Sequence, residues 1–434
     1  MKSRRQGVAI AVALALVVGR VSALHAAEAA DSAAATPATP VAQGLSWSIE
    51  GTGSYHTVGR PYFGSADARD TWGEGFERVR VNSGRPDGLW FSAGGVGMAT
   101  AGGDYYGAHN RIDGRLDQLE AGAANVAGSG VNVVAGRQDL VMGDGFLIGD
   151  GYVDHRAALW NIPLNFYDAL RVDWKNAKWH ALAFGANLSP SLGGGDIYPL
   201  GLEYGAELGL TPMAGADVTA TILRQHDKHA TDMNAAAYAL RATWPFGTST
   251  LTGEAVVEGG TLGGAALRGK GGHLRFVAPV KARWSPVATG EYYYFSGDDP
   301  ATPRNEGYYP WQSRWSDWSQ YYVGDLLAST VGTSSNMEIL RAQLGVTPRE
   351  GTGVRMLAHR MDRNRAIAAG ASKAFAYEYD LVVDQAFGPH WSAWVMGGYA
   401  TPLDAAKTEW GGQNSGQVFA SVSWKFSGPG DDAE

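Results

Sequence analysis

The chain has 434 residues, a formal net charge of −8, no cysteine and 60 glycines. Without cysteine it forms neither disulfides nor thiolate metal sites, and its acidic balance lacks the basic footprint of a nucleic-acid-binding protein. No stretch after the N-terminal region approaches the eighteen apolar residues of a membrane-spanning helix, which excludes a helical membrane protein.

The N terminus has the composition of an export signal. Three basic residues precede an apolar run, residues 8–18, and small residues follow it. The run is too short to span a bilayer, so we predict a secretory signal peptide over residues 1–29, cleaved near residues 26–29. Its removal takes the net charge to about −12. Residues 30–43, rich in Ala, Thr and Pro, predict a flexible spacer.

Pairs of alternating segments joined by tight turns follow the spacer. Each segment alternates apolar and polar residues, as strands with one buried face do, and each turn is rich in Gly, Pro, Asn or Ser. We count eight such hairpins. Their turns lie near residues 83–88, 127–130, 175–178, 212–215, 247–249, 285–286, 348–352 and 388–390.

Longer connections separate the hairpins, for example residues 56–75, 142–167, 259–272, 297–336 and 401–415. Outer-membrane barrels alternate in this way, with short turns in the periplasm and long loops outside. Eight hairpins give sixteen strands, and segments 45–55 and 416–426 add two that would pair and close the sheet. The sequence therefore predicts an all-β transmembrane antiparallel barrel of about 18 strands over residues 44–426, with a C-terminal tail at residues 427–434.

Side-chain alternation and aromatic placement distinguish this barrel from a soluble β-sandwich or propeller. Within residues 273–284, apolar residues such as Leu274 and Phe276 alternate with charged ones. Aromatic residues such as Trp179 and Trp244 adjoin the tight turns, as in the girdle at a membrane interface. A soluble fold would also give turn and loop lengths no reason to alternate. We therefore expect the outer membrane of a Gram-negative bacterium.

Charged residues occupy the wet face of the predicted strands. The basic candidates for lining the pore are Arg78, Arg80, Arg171, Arg241, Arg275, Lys281, Arg283 and Arg341. Acidic residues, including Asp173, Glu254 and Asp380, face the same way. Either these charges pair between neighbouring strands and brace a wide barrel, or several arginines stay unpaired at a constriction and favour an anionic permeant.

The connection at residues 297–336 is too long to be a simple link between strands. Its aromatic residues are candidates for contacts with sugar rings. They include Tyr308, Tyr309, Trp311, Trp315 and Trp318. The connection either folds into the barrel and presents these rings to a permeant or forms a self-packed external lobe.

Short motifs occur in order along most of the mature chain. They are Gly136–Leu140, Gly143-Asp144, Trp160-Asn161, Phe166–Arg171, Tyr294–Asp299 and Ser334–Asn336. Together they resemble the alginate-export family of outer-membrane barrels. The resemblance implies an eighteen-stranded monomer that lets an anionic polysaccharide leave the periplasm, with Arg137 and Arg171 on the pore side. The many lumenal acids of this chain depart from that pattern.

The sequence predicts a passive outer-membrane channel for an anionic polysaccharide or other anionic solute, without cofactor or metal and without enzymatic activity. Its partners would be outer-membrane lipid, the permeant and periplasmic export proteins. One alternative is a general or solute-specific porin without anion preference. A second is a barrel-embedded hydrolase, which the scattered histidines and the lack of a Gly-x-Ser-x-Gly turn disfavour.

Overall fold

The computed structural model describes residues 44–60, 63–64, 69–85, 87–102, 112–148, 167–187, 201–227, 232–311 and 335–428. The predicted signal peptide and spacer lie outside these residues, as does most of the predicted tail. The helical segments of the described chain are helix α1, Asp404–Glu409, and a 3-10 turn, Val126–Gly128. No described helix combines the length and apolar character needed to cross a membrane.

The strands follow one another along the chain. The first ten are β1 Gly44–Gly59, β2 Arg69–Gly84, β3 Leu89–Gly102, β4 Ile112–Ala123, β5 Val131–Gln138, β6 Tyr167–Lys175, β7 Trp179–Asn187, β8 Leu202–Leu210, β9 Asp217–Asp227 and β10 Met233–Phe246. The next ten are β11 Ser249–Leu262, β12 Ala265–Leu267, β13 Lys270–Pro279, β14 Val287–Phe295, β15 Arg304–Asn305, β16 Met337–Arg349, β17 Thr352–Asp362, β18 Ala374–Phe387, β19 Trp391–Pro402 and β20 Ser415–Ser427.

The eighteen long strands form one closed antiparallel barrel, and the short strands β12 and β15 pair within loops. β1 pairs with β2 on one side and with β20 on the other, from Ser48 opposite Ser427 to Gly59 opposite Gly416. The predicted 18-stranded barrel is confirmed. Each of the eight predicted tight turns joins two consecutive strands. Closure matters because an unpaired backbone group in hydrocarbon costs several kcal/mol.

The pleat sorts side chains between lipid and lumen. On β6, Leu170 and Val172 are exposed on the outer face, whereas Arg171 between them is buried on the inner face. Exposed aromatic residues mark both edges of the outer surface. Trp47, Trp179, Trp244 and Trp391 lie near the tight turns, and Tyr55, Tyr204, Tyr292 and Tyr399 lie towards the loops. The outer face therefore has an apolar band between two aromatic belts.

The hairpin between β13 and β14 corrects two predicted pore residues. β13 ends at Pro279, which has no N–H to continue the ladder. The backbone then turns, and the Val280 N–H donates to the Pro286 carbonyl at 2.7 Å. Lys281 and Arg283 consequently lie exposed in this turn and do not line the lumen.

A single acid interrupts the apolar band on β2. Glu77 lies on the outer face, opposite Gly51 of β1 and Gly97 of β3. Gly51 is midway between Trp47 and Tyr55, so Glu77 stands near the centre of the band. Its side chain is exposed, and no hydrogen bond or ion pair connects it to another described residue. A carboxylate placed in this way destabilises the barrel, because lipid solvates it poorly.

Replacing Glu77 with Val should stabilise the barrel. We expect the free energy of unfolding in lipid vesicles to rise by about 1–2 kcal/mol, since lipid-facing acids cost less than the 2–4 kcal/mol of midplane Arg or Lys. Urea titration of the refolded protein measures the change. As a control, Glu338→Leu should not stabilise, because Glu338 accepts hydrogen bonds from Tyr292 at 3.0 Å and Asn364 at 2.8 Å. An unchanged or lower stability of Glu77→Val would contradict this interpretation.

Candidate functional site

The strand register places six of the predicted basic residues on the inner face. They are Arg78 and Arg80 on β2, Arg171 on β6, Arg241 on β10, Arg275 on β13 and Arg341 on β16. Each follows the alternation of its strand, as Arg80 does between the outward residues Val79 and Val81. The lumen is the candidate site of function because these charges converge there.

A cluster of opposite charges connects β1, β2 and β4. The Arg78 guanidinium donates to Glu50 at 2.8 Å and contacts Asp117, and Arg80 lies 3.3 Å from Asp139. Asp117 is the extra residue of a β-bulge in β4, where the register shifts against β3. The bulge turns its carboxylate into the lumen, where it is almost fully buried between the two arginines.

The other inner-face arginines are also bound by acids. Arg275 and Arg341 lie 3.1 and 3.0 Å from the two carboxylate oxygens of Glu291. The remaining contacts are Arg171 to Asp173 at 2.9 Å and Arg241 to Asp217 at 3.7 Å. The six predicted arginines that lie on the inner face therefore all stand within ion-pair distance of a carboxylate.

Arg137 differs from its predicted pore-side position. By the alternation of β5, Arg137 belongs to the same outer face of the strand as Ala135. Its guanidinium is buried, and it donates to Asp168 and to the Leu116 carbonyl. The preceding Gly136 has a φ of 121°, and a Cβ there would stand 2.2 Å from the Leu119 carbonyl oxygen. This stretch thus fixes the end of β5 and does not present a charge to the lumen.

Residues 139–148, which follow β5, fold into the barrel. Five apolar residues of this inward loop are buried, namely Leu140, Met142, Phe146, Leu147 and Ile148. They belong to one apolar cluster with inner-face residues of β7, β9 and β10, such as Phe184, Leu223 and Ala237. Removal of this apolar surface from water holds the loop inside the lumen.

An ion pair between Asp144 and His273, which we call the latch, holds the inward loop against a distant part of the wall. The Asp144 carboxylate lies 3.0 Å from Nε2 of His273 on β13, and the same nitrogen is 3.8 Å from Glu254 on β11. Burial alone would raise the pKa of Asp144, but the charge and hydrogen bond of His273, together with Arg241, hold it well below its usual range. The loop therefore crosses the lumen from β5 to β13 and narrows the channel.

A second loop, residues 296–311, adds an aromatic layer. Tyr308 is buried against Phe295 and Phe146, with ring centroids 5.4 and 5.9 Å away. The indole N–H of Trp311 donates to Glu258 at 2.7 Å, and the Tyr309 N–H donates to the same carboxylate at 3.0 Å. These contacts pack the loop against the wall and bury the faces of Tyr308 and Trp311, which corrects their predicted role as sugar contacts. Trp315 and Trp318 lie outside the described residues.

Several ion-paired charges in the lumen stay partly accessible, and they have both signs. Their side chains keep between 24% and 44% of their surface exposed. The basic ones are Arg80, Arg275 and Arg355, and the acidic ones are Glu50, Asp139, Asp217 and Asp384. A permeant in the lumen would therefore meet a mixed field and no run of unopposed positive charge.

Sequence reasoning missed the contact between Asp144 and His273, and it missed Arg355, the partner of the predicted lumenal acid Asp384. One signal was present in β10, whose inner face carries Ala235, Ala237 and Ala239 while its outer face is also apolar. A strand of a water-filled barrel that is apolar on both faces indicates that something covers its inner side.

Solved structures share this fold. The crystal structure of Pseudomonas aeruginosa OccK5 (OpdH) is 11% identical, with 88% of this chain and 98% of that chain covered and a TM-score of 0.58. The crystal structure of Acinetobacter baumannii OccAB4 is 10% identical, with 89% of this chain and 99% of that chain covered and a TM-score of 0.60. The crystal structure of Pseudomonas aeruginosa OccD3 (OpdP) is 12% identical, with 91% of this chain and 94% of that chain covered and a TM-score of 0.59. The predicted β-barrel is therefore confirmed at the level of the fold, and the likeness agrees with the predicted outer-membrane location.

No family model matches the chain, and no curated protein matches it. The resemblance to the alginate-export family is therefore not supported.

Replacing Asp144 with Ala should widen the channel. The substitution removes the loop side of the contact with His273, so the inward loop should leave the wall more often. We expect larger and noisier single-channel conductance in planar bilayers. Asp299→Ala serves as the control, because Asp299 pairs with Arg365 in an outer loop. Equal conductance of Asp144→Ala and the unmodified channel would show that apolar packing alone holds the loop.

The same latch predicts a pH response with a defined sign. An acid whose pKa is lowered in the folded state stabilises that state above its usual pKa of about 3.9 and loses this effect only as the pH falls below it. The contribution of the Asp144 carboxylate to holding the loop against the wall should hence persist down to about pH 4 and be lost only at lower pH, where the conductance should rise. Asp144→Asn should lack this acid transition, and an unmodified channel whose conductance does not change below about pH 4 would contradict the assignment.

Proposed function

We propose that the protein is a passive outer-membrane channel of the porin type for small polar solutes, without strong anion preference. The observation that carries this proposal is the binding of every inner-face predicted arginine to a carboxylate. Opposite charges held about 3 Å apart act on a more distant solute as a weak dipole, and salt screens what remains beyond roughly 10 Å.

The inward loop supports small solutes as the permeants. A loop that crosses the lumen and packs into its apolar wall leaves less space than the barrel diameter alone would allow. Such a constriction suits solutes of a few ångströms. A solute of this size can replace part of its hydration shell by contacts with the polar groups of the wall. It gives no support to export of a long polymer chain.

The accessible charges set a weak selectivity. Side chains of both signs occur among them, and each of these arginines has an acid beside it, as Arg355 has Asp384 at 3.2 Å. Along one path, the arginines can therefore bind a carboxylate of the solute, and the acidic side chains can bind an ammonium group. We infer that polar and zwitterionic solutes pass, with small differences between cations and anions.

Reversal potentials in a KCl gradient test the proposal. The unmodified channel should give a value close to zero. Asp384→Asn should shift it towards anion selectivity, because Arg355 is left without its acid, and Arg80→Gln should shift it towards cation selectivity. A strongly anion-selective unmodified channel would overturn the proposed lack of preference, and the absence of any conductance would overturn the channel itself.

A further inference from the structure

Three potential metal ligands meet in the barrel wall. His359 on β17 faces Glu378 on β18 directly, and Asp380 follows two residues later on the same face of β18. One ligand atom from each of the three side chains lies within 4.8 Å of the other two, and all three residues are buried. A cross-strand neighbour and an i, i+2 pair surround one point from three directions, which is how a β-sheet can chelate an ion.

The Asp380 carboxylate is buried at this point without a hydrogen-bond donor from the described chain. No N–H or hydroxyl of the described chain donates to either carboxylate oxygen of Asp380. The His359 ring nitrogen stands 3.5 Å away, and the Glu378 carboxyl could bridge to Asp380 only by carrying a proton. Buried polar atoms without donors are rare in folded proteins and indicate a water or an ion at the site.

A fourth side chain, Gln417, is also buried without a hydrogen-bond partner in the described chain. Gln417 on β20 lies in the same inner-face row as Asp380, with Gly398 of β19 between them. Since Gly398 has no side chain, nothing on that strand separates the amide from the carboxylate. Both amide atoms of Gln417 are buried and unpartnered within the described chain. Its carbonyl oxygen is a further potential ligand.

The latch cluster provides a comparison. Among the described residues, Asp144, Glu254 and His273 form the other group with these ligand types. There His273 lies 3.0 Å from Asp144 and bridges two acids, so the group is an ion-pair network. In the group formed by His359, Glu378 and Asp380, the distance from the His359 ring nitrogen to the Asp380 carboxylate is longer, 3.5 Å, and no donor of the described chain binds Asp380. Arg341, opposite His359, is bound by Glu291 and Gln343.

We propose that His359, Glu378 and Asp380 bind a divalent transition-metal ion of the zinc class, with Gln417 completing the ligand set. One imidazole nitrogen with carboxylate oxygens suits Zn²⁺ and its neighbours, whereas Ca²⁺ and Mg²⁺ prefer sites made of oxygen alone. The ion fastens β17 to β18 and neutralises two buried carboxylates. It takes no part in permeation.

Cobalt binding to the full mature barrel in detergent tests the site. After chelator treatment, Co²⁺ should bind at one equivalent per barrel, produce visible d–d absorption and be displaced by Zn²⁺. His359→Gln and Asp380→Asn should abolish the absorption. His273→Gln, the matched variant in the latch cluster, should retain it. Zn²⁺ should also raise the thermal midpoint of the unmodified protein and leave that of Asp380→Asn unchanged.

Two results would overturn the proposal. One is the absence of stoichiometric cobalt binding to the unmodified barrel, and the other is equal binding by Asp380→Asn; either would identify a hydrated pocket with a shared proton. If Asp380→Asn fails to refold, Glu378→Gln decides, with an expected loss of affinity of at least about tenfold, the size of effect seen when groups supporting a metal ligand are removed. Undiminished affinity in Glu378→Gln would likewise refute the site.

Discussion

Backbone pairing in lipid is the constraint on which the rest of this molecule depends. Each strand must bond to a neighbour on both sides, so β1 has to meet β20 and the sheet has to close. The pleat of a closed sheet sends every second side chain into the lumen. Ionisable residues there are removed from bulk water as the loops fold in, and each needs a partner close by. The shared carboxylate of Glu291, between Arg275 and Arg341, is a consequence of that demand.

Much of the wall could be predicted because its rules are local. A period of two and the turn preferences of Gly, Pro and Asn depend only on neighbouring residues, and they located eight hairpins. The errors had two sources, a residue that ended a strand and a position inferred from the family resemblance. Pro279 ended β13 before Lys281 and Arg283, and at Arg137 the strand alternation points outward where the family resemblance implied a pore-side position.

The constriction could not be predicted because it depends on contacts between residues far apart in the chain. Asp144 follows β5, whereas His273 lies on β13. Only the closed barrel brings the two side chains close enough to form an ion pair. Pairing between inner-face acids and bases is equally hidden. The sequence left open whether the arginines are paired, and the bulge that turns Asp117 between Arg78 and Arg80 has no simple sequence signature.

The short motifs that resemble another barrel family have a structural explanation in this chain. Arg137 of the first motif binds Asp168 of the fourth at 2.9 Å, and Gln138 donates to the Ala169 carbonyl at 3.0 Å. The two motifs therefore hold together the strands from which the inward loop leaves and to which the connection returns. Farther along, Asn336 donates to the Arg365 carbonyl at 3.0 Å and fixes the return of the second loop. Any wide barrel that folds loops inward needs such anchors at the loop ends, so these residues report on how the lumen is narrowed and carry no information about what passes through it.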